Sequence, residues 1–273
     1  MSLKILEHPV TGQQYAMGRK RSSAPPHSVK LAKYINKSTA ITPPESFDYA
    51  TQARGALARV YLNDRLGCCA IAGAGHIEGV WRANASSGAD QFIVSNKDIE
   101  GAYSVAGHYV PGDPKTDNGC ELPDVLRIWQ KSGLWGHRIY GWVSVNPSDP
   151  AEVALAQYLF ESLYFGIELP DAWVNPFPSG PGFIWDAAGP ADPDNGHCFI
   201  GTGRVKGATC VNSWGLNGAM TDAALAHYGA AASGGEVYAI LSRNAIARLT
   251  QKSPAGFDFD QLVSDLLDLQ SAA

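Results

Sequence analysis

No stretch of the sequence approaches the roughly 18 uninterrupted apolar residues of a membrane-spanning helix, so no membrane association is expected. The first residues, MSLKILEHPVTGQQ, lack the apolar core of a signal peptide, and the expected compartment is the cytoplasm. Cysteine is scarce. Cys68, Cys69, Cys120, Cys198 and Cys210 form an odd set without metal-ligand spacing, which argues against a zinc site and a disulfide framework. Free thiols, no metal and no cofactor are the expectation. Nucleotide loops are lacking too: Gly73-Ala74-Gly75 falls inside a helical pattern and Gly201-Thr202-Gly203 inside a hairpin pattern, so neither follows a strand and opens a helix. His76-Ile77-Glu78 has no accompanying Pro-Cys-x-x-Cys and reads as an exposed helical pair. Basic charge is sparse beyond the N-terminal arm. Residues 1–40 carry seven Lys or Arg against one Glu, leaving 14 basic and 25 acidic side chains for the rest of a chain of net charge −5. Such a body repels nucleic acid, and the arm, with Arg19-Lys20-Arg21, reads as a solvated tail or a contact for an acidic partner.

What is present is a globular composition: 273 residues, 45% of them hydrophobic, suffice for one large domain or two lobes. Residues 1–46, with Pro25-Pro26 and Pro43-Pro44, read as an arm or wrapping segment holding at most one short helix near Val29–Ile35. A body over 47–245 follows, and 246–273 would close the chain with an amphipathic helix at Asp258–Leu269. Within the body, helical spacing covers Cys69–Arg82, Ser95–Tyr109 and Leu122–Gln130. Tyr140–Val145 alternates as a strand does. Asp149 would cap a helix from Pro150 to Phe165, ended by Gly166, with a strand starting at Ile167–Leu169. Residues 170–196 are too rich in Pro and Gly for a regular element and read as a long loop that lines a site or is mobile. Cys198–Gly203 and Thr209–Asn212 form a hairpin, Thr221 caps a helix to Tyr228, and Glu236–Ser242 is a strand.

Two places carry chemistry. The turn Asn63-Asp64-Arg65-Leu66-Gly67 delivers Cys68 and Cys69 to a helix N-terminus, where unpaired N–H groups and the helix dipole favour a thiolate. His197 opens one strand of the hairpin and Asn212 ends the other, which would set the Asn amide to accept the imidazole N–H. A thiol with a His oriented by a third group is the general arrangement of an activated sulfur nucleophile.

Cys69, His197 and Asn212, separated by 128 and 143 residues from the Cys, resemble the papain family of cysteine peptidases, where His and Asn lie about 130 to 150 residues after the nucleophile. Leu66-Gly67-Cys68-Cys69-Ala70 is similar in part to the family's Cys motif, and Asn212-Ser213-Trp214-Gly215 matches its Asn motif. Asp117-Asn118-Gly119-Cys120, a helix and Ser132-Gly133 resemble one wall of the papain cleft. Met220-Thr221-Asp222 resembles the bleomycin-hydrolase branch.

The resemblance implies an α+β, papain-like two-lobed fold: a helical lobe over about 60–135, a β-rich lobe over about 136–245, and the active-site cleft between them. It implies Cys69, His197 and Asn212 as a catalytic triad, Asn63 and the Cys69 N–H as oxyanion donors, and Trp214 as a shield for the His–Asn hydrogen bond. Gly67, Cys68, Asn118, Gly119 and Gly196 would bind a peptide or protein substrate. The chain departs from the family pattern at Asn63, where Gln stands, at Leu66, where many relatives have Cys, and at Ala70, where an aromatic is usual. Residues 1–46 are too short for the family's inhibitory propeptide, so control by that route is not expected. Rival readings are a papain-fold structural or assembly protein of a multi-subunit, for example phage-like, particle, and an acyltransferase of transglutaminase type.

Overall fold

The computed structural model describes residues 3–23, 29–35, 42–242 and 258–271. The arm contributes β1 (Ile5–Glu7) and β2 (Gln14–Ala16), paired antiparallel, and a 3-10 turn at Leu31–Tyr34. This hairpin is absent from the sequence reading, because each strand has only three residues and no turn dipeptide separates them. Pro25-Pro26 and residues 246–257 lie outside the described residues.

In chain order the body holds β3 (Phe47–Asp48), α1 (Arg54–Leu57), α2 (Cys69–Ala85), α3 (Asn96–Gly107), α4 (Leu122–Lys131), β4 (Ile139–Ser144) and α5 (Pro150–Phe160). It continues with β5 (Leu163–Glu168), α6 (Asp171–Val174), β6 (Phe183–Trp185), β7 (Gly196–Val205), β8 (Ala208–Ser213), β9 (Leu216–Thr221), α7 (Asp222–Tyr228) and β10 (Glu236–Ser242). Helix α8 (Phe259–Ser271) follows. Capping fixes several starts: Ser95, Asp149 and Thr221 side chains accept backbone N–H groups of the first turns of α3, α5 and α7.

Three sequence expectations fail here. Helix α5 stops at Phe160, with Glu161 at φ 64° in the left-handed region, and residues to Glu168 form strand β5 instead. That strand is buried on both faces, so its apolar run carries no period to separate it from a helix. The 170–196 segment, expected to be pure loop, contains α6 and β6. Their apolar content, Trp173, Val174, Phe183 and Trp185, packs into the core. His76 and Glu78, expected on an exposed face, are both buried. Burial draws the His76 pKa down to about 4 and pushes that of Glu78 up to about 7.

Eight strands form one sheet ordered β4-β10-β5-β7-β8-β9-β6, with β3 added beside β7. Neighbours pair antiparallel except β6 with β9. One core cluster joins the sheet to α5, α7, α8 and arm residues Tyr15, Met17, Val29, Leu31 and Tyr34. The other surrounds α2, packing α3 and α4 against it. Helix α2 is buried nearly all round, which its glycines permit. A Cβ at Gly73 would come within 2.8 Å of the Tyr164 ring, and one at Gly79 within 2.3 Å of Ala56 Cβ. The result is a mixed fold in which a helical lobe meets a β-rich lobe along α2 and β7.

Candidate active site

Cys69 is the first residue of α2, set there by a turn in which Tyr61 and Leu62 adopt left-handed φ of 53° and 65°. Asn63 stabilises the turn: its Nδ2 donates to the Leu66 carbonyl at 2.9 Å. A buried carboxylate then ties the turn to the opposite loop. Asp117 accepts the Tyr103 hydroxyl at 2.6 Å and the Gly67 N–H at 3.1 Å, while the Tyr103 oxygen accepts the Gly119 N–H at 2.8 Å. The sequence reading places Asp117 in the Asp117-Asn118-Gly119-Cys120 string of one cleft wall but gives neither it nor Tyr103 this role.

The thiol of Cys69 does not show the lowered pKa expected of a helix N-terminus. Burial pushes it up to about 11, against the opposing pull of the Cys198, Gly18 and Ala70 backbone N–H groups and of Arg19. Two of those groups belong to the arm, and one to the strand residue after His197. Burial likewise draws His197 well below the usual imidazole range. Burial thus works against the charged form of both groups.

His197 stands at the start of β7, stacked on Trp214 with centroids 3.6 Å apart at 11°. Its Nε2 lies 3.0 Å from Ser213 Oγ, and its Nδ1 is buried with no hydrogen-bond partner among the described residues. The expected Asn212 contact is not made. The β7–β8 register sets Asn212 opposite Ile200, three residues past His197. Asn212 Nδ2 instead donates to Leu57 O at 3.0 Å and Asn217 Oδ1 at 2.7 Å, leaving its Oδ1 buried and unpartnered. Ser213 was missed as a ring partner because only the flanking Asn and Trp of its motif had been assigned roles. Trp214 has φ 47° and Gly215 φ 79°, a tight turn that folds the indole back over the imidazole.

The groove between the lobes holds part of the chain's own arm, so residues 15–19 are not the solvated tail that the arm's charge suggested. Tyr15 packs edge-on to Trp214. The Ala16 carbonyl accepts from Asn63 Nδ2 at 3.0 Å, so both donors of this expected oxyanion group are engaged. Gly18 O accepts the Cys120 N–H at 3.0 Å, Lys20 N donates to Cys120 O at 2.9 Å, and Arg19 N donates to Gly196 O at 3.0 Å. Arg19 and Cys120 pair as a parallel bridge. The fit needs glycine: a Cβ on Gly18 would lie 2.0 Å from Gly67 O, one on Gly119 2.0 Å from Gly18 O, and one on Gly196 2.3 Å from Arg19 O. Gly67, Gly119 and Gly196 thus line the strip that carries an extended chain. Cys68 and Asn118 do not present side chains to it. The Cys68 thiol donates to Tyr61 O at 3.3 Å within the helical core, and Asn118 Nδ2 turns out to Lys115 O.

All five cysteines are free. Among the described residues no group of three His, Cys, Asp or Glu is arranged to hold a metal ion, and no helix is long and apolar enough to cross a membrane.

No known family's sequence profile matches the chain, and no curated protein matches it in sequence. Solved structures do. Xylellain, a cysteine protease from Xylella fastidiosa, superposes with a TM-score of 0.60 at 14% identity over 83% of this chain and 96% of its own. Procathepsin L2 proteinase from the Tenebrio molitor larval midgut gives 0.52 at 18% identity, over 83% of this chain and 78% of that one. The N-terminal arm, the cleft and the paired lobes are thus parts of a chain with the fold of the papain-like cysteine proteases.

Proposed function

We propose that the chain is a cysteine peptidase whose groove is closed by residues 15–20 until they are displaced. The observation that carries this reading is the approach of two distant elements. Cys69, at the head of α2, lies in one buried cluster with Cys198, the residue following His197, where α2 packs on β7 at Gly73. In the open groove, Cys69 thiolate attacks a peptide carbonyl, and the imidazolium of His197 gives its proton to the leaving amine. Water then cleaves the thioester, with the same imidazole taking the proton from water. The Cys69 N–H holds the oxyanion, and Asn63 Nδ2 joins it on release from the Ala16 carbonyl. Trp214 keeps water from the imidazole, and Asn212 steadies the strand end that bears Ser213.

Labelling by an epoxide-type thiol inhibitor tests the reading. Intact mass and peptide mapping should show stoichiometric addition at Cys69 in an arm-released Arg19→Ala chain and no addition once His197→Ala is combined with it. A filled groove is also what a papain-fold assembly protein would present, and absence of labelling in the folded Arg19→Ala chain would favour that reading. Transfer of the acyl group to an added amine in place of water would point to acyltransferase chemistry.

A further inference from the structure

About two and a half turns of α2 beyond Cys69, the same helix borders a cavity that the groove does not share. It has a volume of about 420 Å³ and lies between the middle of α2, the connection from α4 to β4 and the end of β10. Glu78, Trp81, Ser132, His137, Arg138 and Ser242 line it.

Glu78 is the member that needs explaining. It is 5% exposed, and a carboxylate buried to that degree is costly unless something answers its charge. The partner that helix spacing offers is Arg82, one turn on. Arg82 is committed elsewhere: its Nε and Nη2 each lie 2.7 Å from Asp90 Oδ2, its Nη1 lies 3.3 Å from His137 Nε2, and the guanidinium covers the Phe92 ring at 4.6 Å. Glu78 enters no ion pair among the described residues. Burial pushes its pKa up to about 7 against the opposing pull of Trp129 and Arg82, and the buried Trp129 Nε1 completes no hydrogen bond.

The opposite charge stands at the mouth of the same cavity. Arg138 is exposed, with its stem beside Gly133, where a Cβ would lie 3.1 Å from Arg138 Cγ. Its guanidinium enters no ion pair or hydrogen bond among the described residues. A carboxylate at depth and a guanidinium at the rim therefore share one cavity without meeting. A bare cation would answer Glu78 and face Arg138, and a bare anion would do the reverse. A zwitterion answers both, with its ammonium on the carboxylate and its own carboxylate on the planar donor fork of the arginine. We infer that this cavity binds a small zwitterion of amino-acid type, ammonium inward at Glu78 and carboxylate outward at Arg138. The site lies apart from the groove, so the assignment holds whether or not the groove hydrolyses peptides.

Isothermal titration calorimetry on the full-length chain at pH 8 tests it, with glycine, 4-aminobutyrate and 6-aminohexanoate as zwitterions of graded span. Each is compared with the amine and the carboxylate of the same stem, such as butylamine and butyrate. At least one zwitterion should bind with a Kd of about 1 mM or tighter, ahead of both single-charge molecules of its stem. Glu78→Gln should weaken that binding by about 30-fold, as for a desolvated charge that loses its partner. Arg138→Gln, at the surface where the fold is indifferent to it, should weaken it by about threefold and leave the bare amine unaffected. Binding of every zwitterion no tighter than that of its amine, or binding that survives either substitution, overturns the assignment.

Discussion

The two walls of the groove are held together in different ways. On the helical side, Gly67 and Gly119 are held by contacts within their own wall, centred on the buried Asp117 and its bonds to Tyr103 and Gly67, while Asn63 and Cys120 also bond the arm. On the sheet side, Glu168 and Glu236 sit at strand ends and meet cations that belong to the arm. The helical wall keeps a hydrogen-bond network of its own beneath the arm, whereas the buried carboxylates of the sheet wall take their cations from the arm.

The largest expected effect comes from breaking the self-contained wall. Asp117→Ala leaves the Gly67 N–H without its acceptor and removes the acceptor of the Tyr103 hydroxyl, in a site where neither reaches bulk water. Orphaned buried groups cost about 1–3 kcal/mol each, so a loss of about 3 kcal/mol in unfolding free energy is expected from urea denaturation. Asp117→Asn keeps one acceptor and should lose clearly less. Equal stability of Asp117→Ala and the parent chain would mean that the wall is held by packing alone.

The same division governs what the sequence revealed. Cys69 was legible as a helix-start thiol because the turn before it and the small residues after it are local signals. The fold was legible through the spacing of Cys69, His197 and Asn212 and a four-residue string. The Arg19–Glu236 pair spans 217 positions, and nothing within either neighbourhood marks the other. Gly166 illustrates the limit: read as a helix end, it is a strand residue kept small by a guanidinium and a carboxylate that arrive from elsewhere. The assignment of Asn212 to the imidazole failed for a similar reason. A register shift between Gly201 and Gly203 decides which hairpin residues face each other, and a β-bulge leaves little trace in composition.

Releasing the arm should have an intermediate effect, read at the sulfur. In the closed state burial holds the Cys69 pKa near 11 and works against a charged His197. Thiolate then accumulates only as pH rises toward that value, so iodoacetamide labelling of the parent chain should be slow at pH 8 and climb steadily to the alkaline limit. Arg19→Ala removes the anchor, readmits water to the sulfur, and should move the inflection to lower pH. Each unit of that fall raises labelling at pH 8 by about tenfold. An unchanged profile would show that the arm does not cause the burial of the thiol.

The smallest effect separates Ser213 from Asn212 as the partner of the imidazole. Ser213 Oγ is 3.0 Å from His197 Nε2, a bond of the kind that contributes about 1 kcal/mol. In the Arg19→Ala background, Ser213→Ala should therefore slow inhibitor labelling of Cys69 by about fivefold and leave stability nearly unchanged, because the ring remains stacked on Trp214. Asn212→Ala should behave in the opposite sense. Its amide joins β8 to Leu57 of α1 and to Asn217 of β9, so its loss should register first in unfolding free energy. A slower labelling rate in Asn212→Ala at full stability would instead mean that the Asn carboxamide turns to the imidazole once the arm has gone. Its unpartnered Oδ1 would then be an acceptor waiting for the open state, and the sheet wall would change hydrogen-bond partners at the catalytic ring as well as at Glu236.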